Sequence, residues 1–460
     1  MKDNSKPVPG LDIVTPIIEL FHEFSLLIGK LLIVAFEKGF DSLSGTKSQL
    51  KLIEHKKLRS KKYTSKPDSL GVDTRTNRNV LLSEIDFRRH SFIVGGSGFG
   101  KTNLLTVLQE HTLATSRPII FIDPKGDLET LNAFRDLCAK YQRTCYIFSE
   151  YHADSILMNP LKEGTVNQIV SRLMNCFEWT NEYYRSQCEQ ALFTVCKKIT
   201  SSGERCSIGS ILTNLKLIET EEISGIISNL VRIQESDFGR LLVAGSESLT
   251  LSSIRKEQAC LYIGLSVQGY GETARTVGRM FLGELLYNSY MTMRSCPNGE
   301  GLKNPLSVHF DELGALLVPD FIELLNKCRS AGIELTMAVQ SPADLAKYNE
   351  TLPIQIIENS GNVFVLKQRV DDSAAFFSKA IGTTISTKST HVTEDGETQS
   401  KGSVREVYEL LAHPDIIKNL GIGQCVLLQQ APSRLRLINI RDRGRTALQK
   451  NVVVHEPDIF

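Results

Sequence analysis

The chain has 460 residues, of which 41% are hydrophobic and 23% are charged, and its formal net charge is +1 at pH 7. This composition is typical of an ordinary globular protein with two or three domains. Because the net charge is close to zero, affinity for nucleic acid or for an anionic membrane has to come from local patches. The ten cysteines form no CxxC pair and have no histidine spacing typical of a zinc site, so we expect reduced thiols in a cytosolic compartment.

The first predicted segment, residues 1–69, joins an amphipathic stretch to a basic linker. Apolar residues in 13–40 recur at helical spacing, but Glu19, His22, Glu23, Lys30 and Glu37 interrupt them. A spanning helix needs about 20 mostly apolar residues, so we expect an amphipathic helix here. Six of the eleven residues in 56–66 are Lys or Arg. The two stretches predict either peripheral contact with an anionic membrane or a helix packed on protein before a solvated linker.

Strands and helices alternate through residues 70–164. The predicted elements are a short strand and turn at 79–87, a strand at 90–94, a helix from Asn103 to about Thr112, a strand at 118–122, a helix up to Tyr141 and a strand at 144–148. Continuously apolar strands between helices are typical of a parallel sheet buried on both faces. The predicted fold class is therefore α/β.

The pattern changes in residues 165–253, where four helical segments follow one another without a strand, and we expect an all-α insertion domain. The α/β pattern returns in residues 254–460. Its predicted elements are strands at 260–265, 306–310, 333–339 and 362–367, and helices at about 272–294 and 319–330. The polar segment 385–403 predicts a mobile hairpin or loop. The segments 424–429 and 434–440 predict an antiparallel pair at one edge of the sheet.

Residues 95–103, GGSGFGKTN, match the pattern G-x-x-x-x-G-K-[ST] between a predicted strand and a predicted helix. The glycines let successive main-chain N–H groups point at phosphates, and the loop ends at the positive end of a helix dipole. The predicted nucleotide-binding residues are Gly95, Gly96, Ser97, Gly98, Phe99, Gly100, Lys101, Thr102 and Asn103. Lys101 is expected to reach the β and γ phosphates and Thr102 to bind Mg²⁺, which predicts ATP and Mg²⁺ as cofactors. A plain glycine-rich turn is the alternative.

Hydrolysis needs a second, acidic site on a neighbouring strand. Asp311 and Glu312 directly follow the apolar strand 306–310. Asp311 is expected to hold the Mg²⁺ shell, while Glu312 orients and polarises the attacking water, a division of labour that P-loop hydrolases use. Residues 70–164 and 254–460 are therefore predicted to be the two parts of one nucleotide-binding domain, with the P-loop in the first part and the acidic pair in the second.

Four further side chains are candidates for the same site. Gln340 ends a predicted strand, where its amide can contact the γ phosphate or hold the water. Arg329 lies shortly before that strand and can act as an arginine finger across a subunit boundary; a solvated helix-end arginine is the alternative. Asp123 and Lys125 follow another predicted strand, so they lie at the carboxyl edge of the sheet, where ligands bind in such folds. Their chemistry alone assigns them no role.

Together, these motifs resemble the coupling proteins of type IV secretion and conjugation systems, the TraD/TraG-type ATPases within the FtsK/HerA group. The resemblance covers about residues 70–440. It rests on the P-loop, the helical insertion and the segments FIDPKGDL (121–128), HFDELG (309–314) and CRSAGIELTMAVQS (328–341), with support from residues 70–96 and 421–428.

The resemblance implies a RecA-like motor domain with an inserted all-α domain, and assembly as a hexameric ring. It implies an ATPase that moves DNA or protein substrates, with relaxosome and secretion-channel proteins as partners. We expect the DNA to be single-stranded and to be bound without sequence preference. By position, Lys101, Thr102, Asp311, Glu312 and Gln340 are then the nucleotide site, with Arg329 supplied by the adjacent subunit. The implied location is the cytoplasmic face of the bacterial inner membrane, with the cytoplasm as the alternative.

The N-terminus departs from this family pattern. Family members usually carry two transmembrane helices there, whereas this sequence offers only the interrupted stretch 13–40. Two other functions therefore stay open at this point. One is a soluble FtsK/HerA-like DNA pump without a secretion partner, and the other is a coupling receptor that mainly recognises effector proteins.

Overall fold

The computed structural model describes residues 68–295, 304–317, 321–394, 397–430 and 433–442. The amphipathic stretch 13–40 and the basic stretch 56–66 lie outside this range, so their membrane or partner contacts stay predictions. Within the described residues, no helix combines the length and the apolar character needed to cross a bilayer.

Most of the strands form one mixed sheet, and two further strands form a separate hairpin. The strands are β1 (Gly71–Asp73), β2 (Arg78–Val80), β3 (His90–Val94), β4 (Ile119–Asp123), β5 (Cys145–Phe148), β6 (Cys260–Gly264), β7 (Leu306–Phe310), β8 (Ile333–Val339), β9 (Ser360–Val365), β10 (Thr383–Glu394), β11 (Glu397–Leu410), β12 (Gln424–Gln430) and β13 (Ser433–Ile440). The eleven-stranded sheet has the order β2-β1-β13-β12-β9-β3-β8-β7-β4-β6-β5. The predicted α/β class is confirmed.

The seven strands from β9 to β5 in this order are mutually parallel. Their carboxyl ends therefore meet at one edge of the sheet. The four strands on the other side of β9 are antiparallel to their neighbours. The central strands are buried on both faces, as their continuous apolar sequences predict.

The helices of the described chain are α1 (Glu84–Phe87), α2 (Lys101–Ala114), α3 (Leu128–Lys140), α4 (Val166–Met174), α5 (Glu182–Ser201), α6 (Ile208–Leu215), α7 (Ser224–Gln234), α8 (Leu251–Glu257), α9 (Val267–Tyr270), α10 (Glu272–Ser295), α11 (Phe321–Lys327), α12 (Pro342–Ala346), α13 (Leu352–Asn359), α14 (Asp371–Ile381) and α15 (Pro414–Lys418).

Alternating residues of the central strands point into two hydrophobic cores, one on each face of the sheet. Phe92 and Val94 of β3 face one core, and Ile93 faces the other. Helices α2 and α3 supply the second core, whereas α10 and the helices between β5 and β6 supply the first. The stretch α4–α8 contains no named strand, as predicted; its definition as a separate domain at 165–253 stays a prediction.

Three expectations need correction or refinement. The strands β12 and β13 do form an antiparallel pair, but the prediction that they lie at the sheet edge is wrong. β12 pairs with β9, and β13 pairs with β1, so the edge on this side is β2. The segment 79–87 contains the end of β2 and then helix α1, and the polar segment 385–403 lies within the longer hairpin of β10 and β11.

Candidate functional site

The phosphate-binding loop at 95–100 leaves the carboxyl end of β3 and enters helix α2. The main chain of Gly95 donates to Val339 O at 3.2 Å, and that of Gly96 donates to Lys367 O at 3.1 Å, so the loop is tied to the strand ends on both sides. Gly98 has φ 78° and Gly100 has φ 101°, left-handed conformations in which a side chain would be strained. Gly98 and Gly100 are therefore required by the backbone conformation of the loop.

Lys101 and its neighbours lie in the first turn of α2. The Nζ of Lys101 donates to Gly95 O at 2.7 Å and to Gly96 O at 3.3 Å, so the lysine folds back over the loop. Burial lowers the pKa of Lys101, and the carboxylates of Glu312 and Asp311 oppose this shift. Thr102 is exposed at the loop, and Asn103 donates from Nδ2 to Arg441 O at 3.0 Å. Asn103 thus fastens the helix to the chain after β13.

Phe99, which the pattern predicts only as a member of the nucleotide-binding loop, lies close to two cations. Its ring centroid is 5.3 Å from the Nζ of Lys367 and 5.0 Å from the guanidinium carbon of Arg369, both within cation–π range. The Phe99 carbonyl accepts from the main chain of Gly423 at 3.2 Å. The ring therefore joins the tip of the loop to the segment that follows β9.

The two predicted carboxylates follow β7, two strands from the loop in the sheet. Asp311 is 1% exposed, and its Oδ2 accepts from the Nζ of Lys125 at 2.8 Å. Among the described residues, nothing donates a hydrogen bond to its buried Oδ1. Burial alone lowers the pKa of Lys125, but the attraction of Asp311 and the hydrogen bond to it outweigh burial and raise that pKa. The sequence prediction had placed Asp123 and Lys125 at this edge without finding the ion pair.

Glu312 is held in an unusual backbone conformation. Its φ is 73°, in the left-handed region that residues other than glycine rarely occupy, and such outliers cluster at functional sites. Its Oε2 accepts from the Nε2 of Gln340 at 3.0 Å. Burial raises the pKa of Glu312, while the Gln340 hydrogen bond and the charge of Lys101 act in the opposite direction. The structure thus brings the acid and the amide together beside the P-loop lysine.

Asp123 has a structural part in the turn that follows β4. Its Oδ2 accepts from the hydroxyl of Tyr262 at 2.8 Å, and its Oδ1 accepts from the main chain of Lys125 at 3.0 Å. Burial raises the pKa of Asp123 to about 6, although the Tyr262 hydrogen bond opposes this shift. The buried carboxylate fixes the turn from which Lys125 reaches Asp311.

Arg329 is not brought together with these residues within one chain. It lies in the 3₁₀ helix Cys328–Ala331, before the amino end of β8, whereas Gln340 follows the carboxyl end of the same strand. A strand of this length separates its two ends by roughly 20 Å. Burial lowers the pKa of His90, at the start of β3, to about 4, and the charge of Arg329 adds to this shift. Arg329 is exposed, and it lies at the edge of the sheet opposite to the P-loop of the same chain.

Sequence reasoning missed Lys367, Arg369 and Gly423 as neighbours of the P-loop. For Lys367 a signal existed, because 362–367 was predicted as a strand and polar residues at strand carboxyl ends meet at one edge. For Gly423 there was none, because its contact with Phe99 depends on the antiparallel return of β12 beside β9.

Two family models match separate parts of the chain. Residues 305–421 match the model described as the TraM recognition site of TraD and TraG. Residues 74–240 match the model described as the central domain of the helicase HerA. The first region carries Asp311, Glu312, Arg329 and Gln340, and the second carries the P-loop. A curated protein of Mycoplasma pneumoniae, described as uncharacterized, is 30% identical over 69 residues, which span 14% of this chain and 58% of that relative.

Solved structures share the fold over most of the chain. The bacterial conjugative coupling protein TrwBΔN70, in an unbound form, has a TM-score of 0.63 at 15% identity, covering 86% of this chain and 92% of its own. TrwB in complex with ADP and Mg²⁺ has a TM-score of 0.59 at 16% identity, covering 86% and 93%. VirB4 of Thermoanaerobacter pseudethanolicus has a TM-score of 0.57 at 14% identity, covering 82% and 96%.

At 14–16% identity the structural matches establish only the fold. The similarity to the coupling proteins is shown by the two family models. The two matched regions contain the same motifs on which the resemblance was based, so that prediction is confirmed. Residues 305–421 are thus similar to the TraG/TraD-type coupling-protein family, and residues 74–240 are similar to the central domain of HerA.

Proposed function

We propose that this chain is a Mg²⁺-dependent ATPase that moves DNA, or DNA with bound protein, into a type IV secretion or conjugation channel. The observation that carries the proposal is one arrangement at the carboxyl edge of the sheet. There the loop 95–100 and Lys101 lie beside the buried Asp311 and the Glu312–Gln340 pair.

Phosphate binding is assigned to the main-chain N–H groups of 95–100 and to Lys101, whose ammonium exchanges two carbonyl partners for phosphate oxygens. Thr102 and Asp311 are the residues that would hold Mg²⁺. The donor set fits, because Mg²⁺ prefers oxygen ligands and usually takes only one or two protein carboxylates beside the phosphates. The buried Oδ1 of Asp311, which no described residue satisfies, is an oxygen of the required kind. When bound, Mg²⁺ neutralises phosphate charge and polarises the terminal phosphoryl group.

Glu312 is the proposed general base that takes the proton of the attacking water. A base works best when its pKa lies near the operating pH, and burial moves the pKa of Glu312 upward in that direction. Gln340 holds the Glu312 carboxylate by the 3.0 Å hydrogen bond and can also orient the water. The left-handed backbone of Glu312 fixes the direction in which its side chain leaves the strand end.

ATP and Mg²⁺ as the cofactors are supported by the P-loop sequence, and a protein of the same fold, TrwB, is known in complex with ADP and Mg²⁺. Contact with a neighbouring subunit is supported by the position of Arg329, and a hexameric ring is the proposed form of that assembly. The exposed guanidinium lies at the edge of the sheet opposite its own loop, so only a neighbouring subunit can bring such a group to the nucleotide. Hexamer and arginine finger are parts of this proposal.

The proposed cargo and partners are supported by the similarity to the coupling-protein family. The description of the matched model, a TraM recognition site, supports a relaxosome protein as a partner at residues 305–421. Single-stranded DNA bound without sequence preference is the proposed cargo. The proposed location is the cytoplasmic face of the bacterial inner membrane, with peripheral contact through 13–40 and 56–66.

Binding of a fluorescent single-stranded oligonucleotide, followed by anisotropy at two salt concentrations, tests the cargo. Neutralised phosphates release counterions, so the affinity for DNA should fall about tenfold or more between 50 and 200 mM salt. A protein that hydrolyses ATP but binds no DNA at either salt concentration would favour a receptor for effector proteins. A protein that binds DNA but pulls down no channel protein would favour a soluble pump.

A further inference from the structure

Lys125 of the DPKGD turn at 123–127 lies beside Asp311, the carboxylate that is proposed to bind Mg²⁺. The Nζ of Lys125 lies 2.8 Å from the Oδ2 of Asp311. The two side chains differ in exposure, since that of Lys125 is 49% exposed and that of Asp311 is 1% exposed. One partner can therefore move into solvent, whereas the other cannot.

The main chain of this turn is fixed from several sides. Asp123 accepts from Tyr262 and from the Lys125 main chain, and Leu265 donates to the Asp123 carbonyl at 3.0 Å. Gly126 has φ 64°, and a Cβ there would approach the Oγ of Ser266 to 2.6 Å. Such close packing leaves the turn little freedom. The side chain of Lys125 is the part of this turn that can change position.

A buried carboxylate needs a positive partner, because an isolated charge in the interior is strongly unfavourable. In the metal-free protein, Lys125 supplies that charge to Asp311. The charge of Lys101 also attracts Asp311, but its ammonium donates to the carbonyls of Gly95 and Gly96 and makes no hydrogen bond to this carboxylate. A divalent cation on the free Oδ1 and a lysine ammonium on Oδ2 repel each other across one carboxylate, so each disfavours the binding of the other.

We propose that Lys125 is a built-in substitute for the metal ion, which compensates Asp311 in the empty site and is displaced when Mg²⁺ arrives with the nucleotide. This inference rests on the proposed function. It assigns Lys125 as a positioning residue that acts through Asp311. Binding of Mg²⁺ and nucleotide then releases the Lys125 side chain into solvent, while the main chain of the turn keeps its position.

The test measures how much Mg²⁺ is needed for nucleotide binding. ADP carrying a fluorescent N-methylanthraniloyl group is bound to the full chain over a range of MgCl₂ concentrations and in EDTA. Lys125→Met should lower the Mg²⁺ concentration for half-maximal binding by about three- to tenfold, because the competing cation is gone. In EDTA the same variant should bind the nucleotide more weakly than the wild type, because Asp311 then has no counter-charge.

Opposite effects in Mg²⁺ and in EDTA are the signature that a merely structural lysine would not produce. Lys125→Arg keeps the charge and should retain the wild-type requirement for Mg²⁺. Lys327→Met removes a lysine from an exposed pair with Glu323 and serves as the matched control. Lys125→Gln replaces the methionine variant if thermal unfolding in EDTA shows that the latter does not fold.

A wild-type protein that binds no nucleotide at any Mg²⁺ concentration overturns the proposed function together with this inference. A wild type that binds nucleotide, beside a Lys125→Met or Lys125→Gln protein with an unchanged or higher Mg²⁺ requirement, overturns the inference alone.

Discussion

The Nε2 of Gln340 donates to the Oε2 of Glu312 at 3.0 Å, although the two residues follow different strands and lie 28 positions apart in the chain. The hydrogen bond exists because β7 and β8 are parallel neighbours, so their carboxyl ends meet. It joins an acid with a raised pKa to an amide beside Lys101. This arrangement is the basis of the hydrolysis prediction.

Glu312→Gln should bind ATP with near wild-type affinity and hydrolyse it at least about a hundredfold more slowly, because a positioned base contributes about that much. Steady-state phosphate release gives the rate, and equilibrium binding of a fluorescent nucleotide gives the affinity. Glu323→Gln, on the exposed surface of α11, is the control and should keep full activity. Normal turnover in the Glu312 variant would remove this residue from the base role.

Lys101→Ala should weaken nucleotide binding by about tenfold or more, because a charge-assisted contact to phosphate is lost. The fold should survive, since the carbonyls of Gly95 and Gly96 lie at a loop where water can replace the ammonium. Isothermal titration with ADP and Mg²⁺ measures the affinity, and circular dichroism checks the fold. A folded Lys101→Ala protein with unchanged affinity would show that the loop does not bind phosphates in the expected way.

Arg329→Ala should lose turnover in the assembled ring while keeping nucleotide binding, because the guanidinium acts on the adjacent subunit. Mixing Arg329→Ala with Lys101→Ala subunits at equal amounts should restore activity at about a quarter of the interfaces, those that combine an intact loop with an intact arginine. Turnover of the mixture, compared with each parent alone, is the measurement. No recovery, in mixtures that native mass spectrometry shows to have exchanged subunits, would contradict the trans assignment.

The buried Glu284 in α10 should make the stability of the protein depend on pH, independently of the nucleotide site. Burial raises its pKa to about 8, against the charge of Arg172 and a 2.7 Å hydrogen bond from the Leu251 main chain. Because the folded pKa lies above the unfolded one, the stability contributed by Glu284 is fully present below about pH 4.5 and is lost as the pH rises through about 8. The wild type should therefore lose about 3 to 4 kcal/mol more than Glu284→Gln between pH 5 and pH 8.

Urea unfolding of both proteins across this pH range measures the difference. Glu358→Gln, at an exposed carboxylate of α13, is the control and should follow the wild type at every pH. Parallel curves for the wild type and Glu284→Gln would show that the carboxyl group of Glu284 is not held neutral by burial.

Much of the fold follows from local sequence. The strands at 90–94, 306–310 and 333–339 have the predicted bounds because each is a continuous run of residues that the sheet buries on both faces. The strand β1 was not predicted, because three residues are too few for a periodic pattern, and β2 was predicted only as the short strand at the start of 79–87. The error about the sheet edge had a sequence signal, since the apolar run 425–428 is typical of an interior strand.

The part of the site that is formed by sequence motifs and by residues at strand ends was predictable. The P-loop, Asp311, Glu312 and Gln340 lie together as the strand-end argument predicts. The pair of Lys125 with Asp311 joins residues 186 positions apart, and no local pattern indicates it. The same is true of the Arg369 contact with Phe99. Such contacts depend on strand order, which the sequence pattern does not specify.

Steady-state ATP turnover by the purified full chain, with and without single-stranded DNA, tests the central claim most directly. Turnover should require Mg²⁺, rise severalfold when DNA is added at low salt, and fall to background in Glu312→Gln. A correctly folded wild-type protein that hydrolyses no ATP with Mg²⁺, in the presence or absence of DNA, would contradict the account.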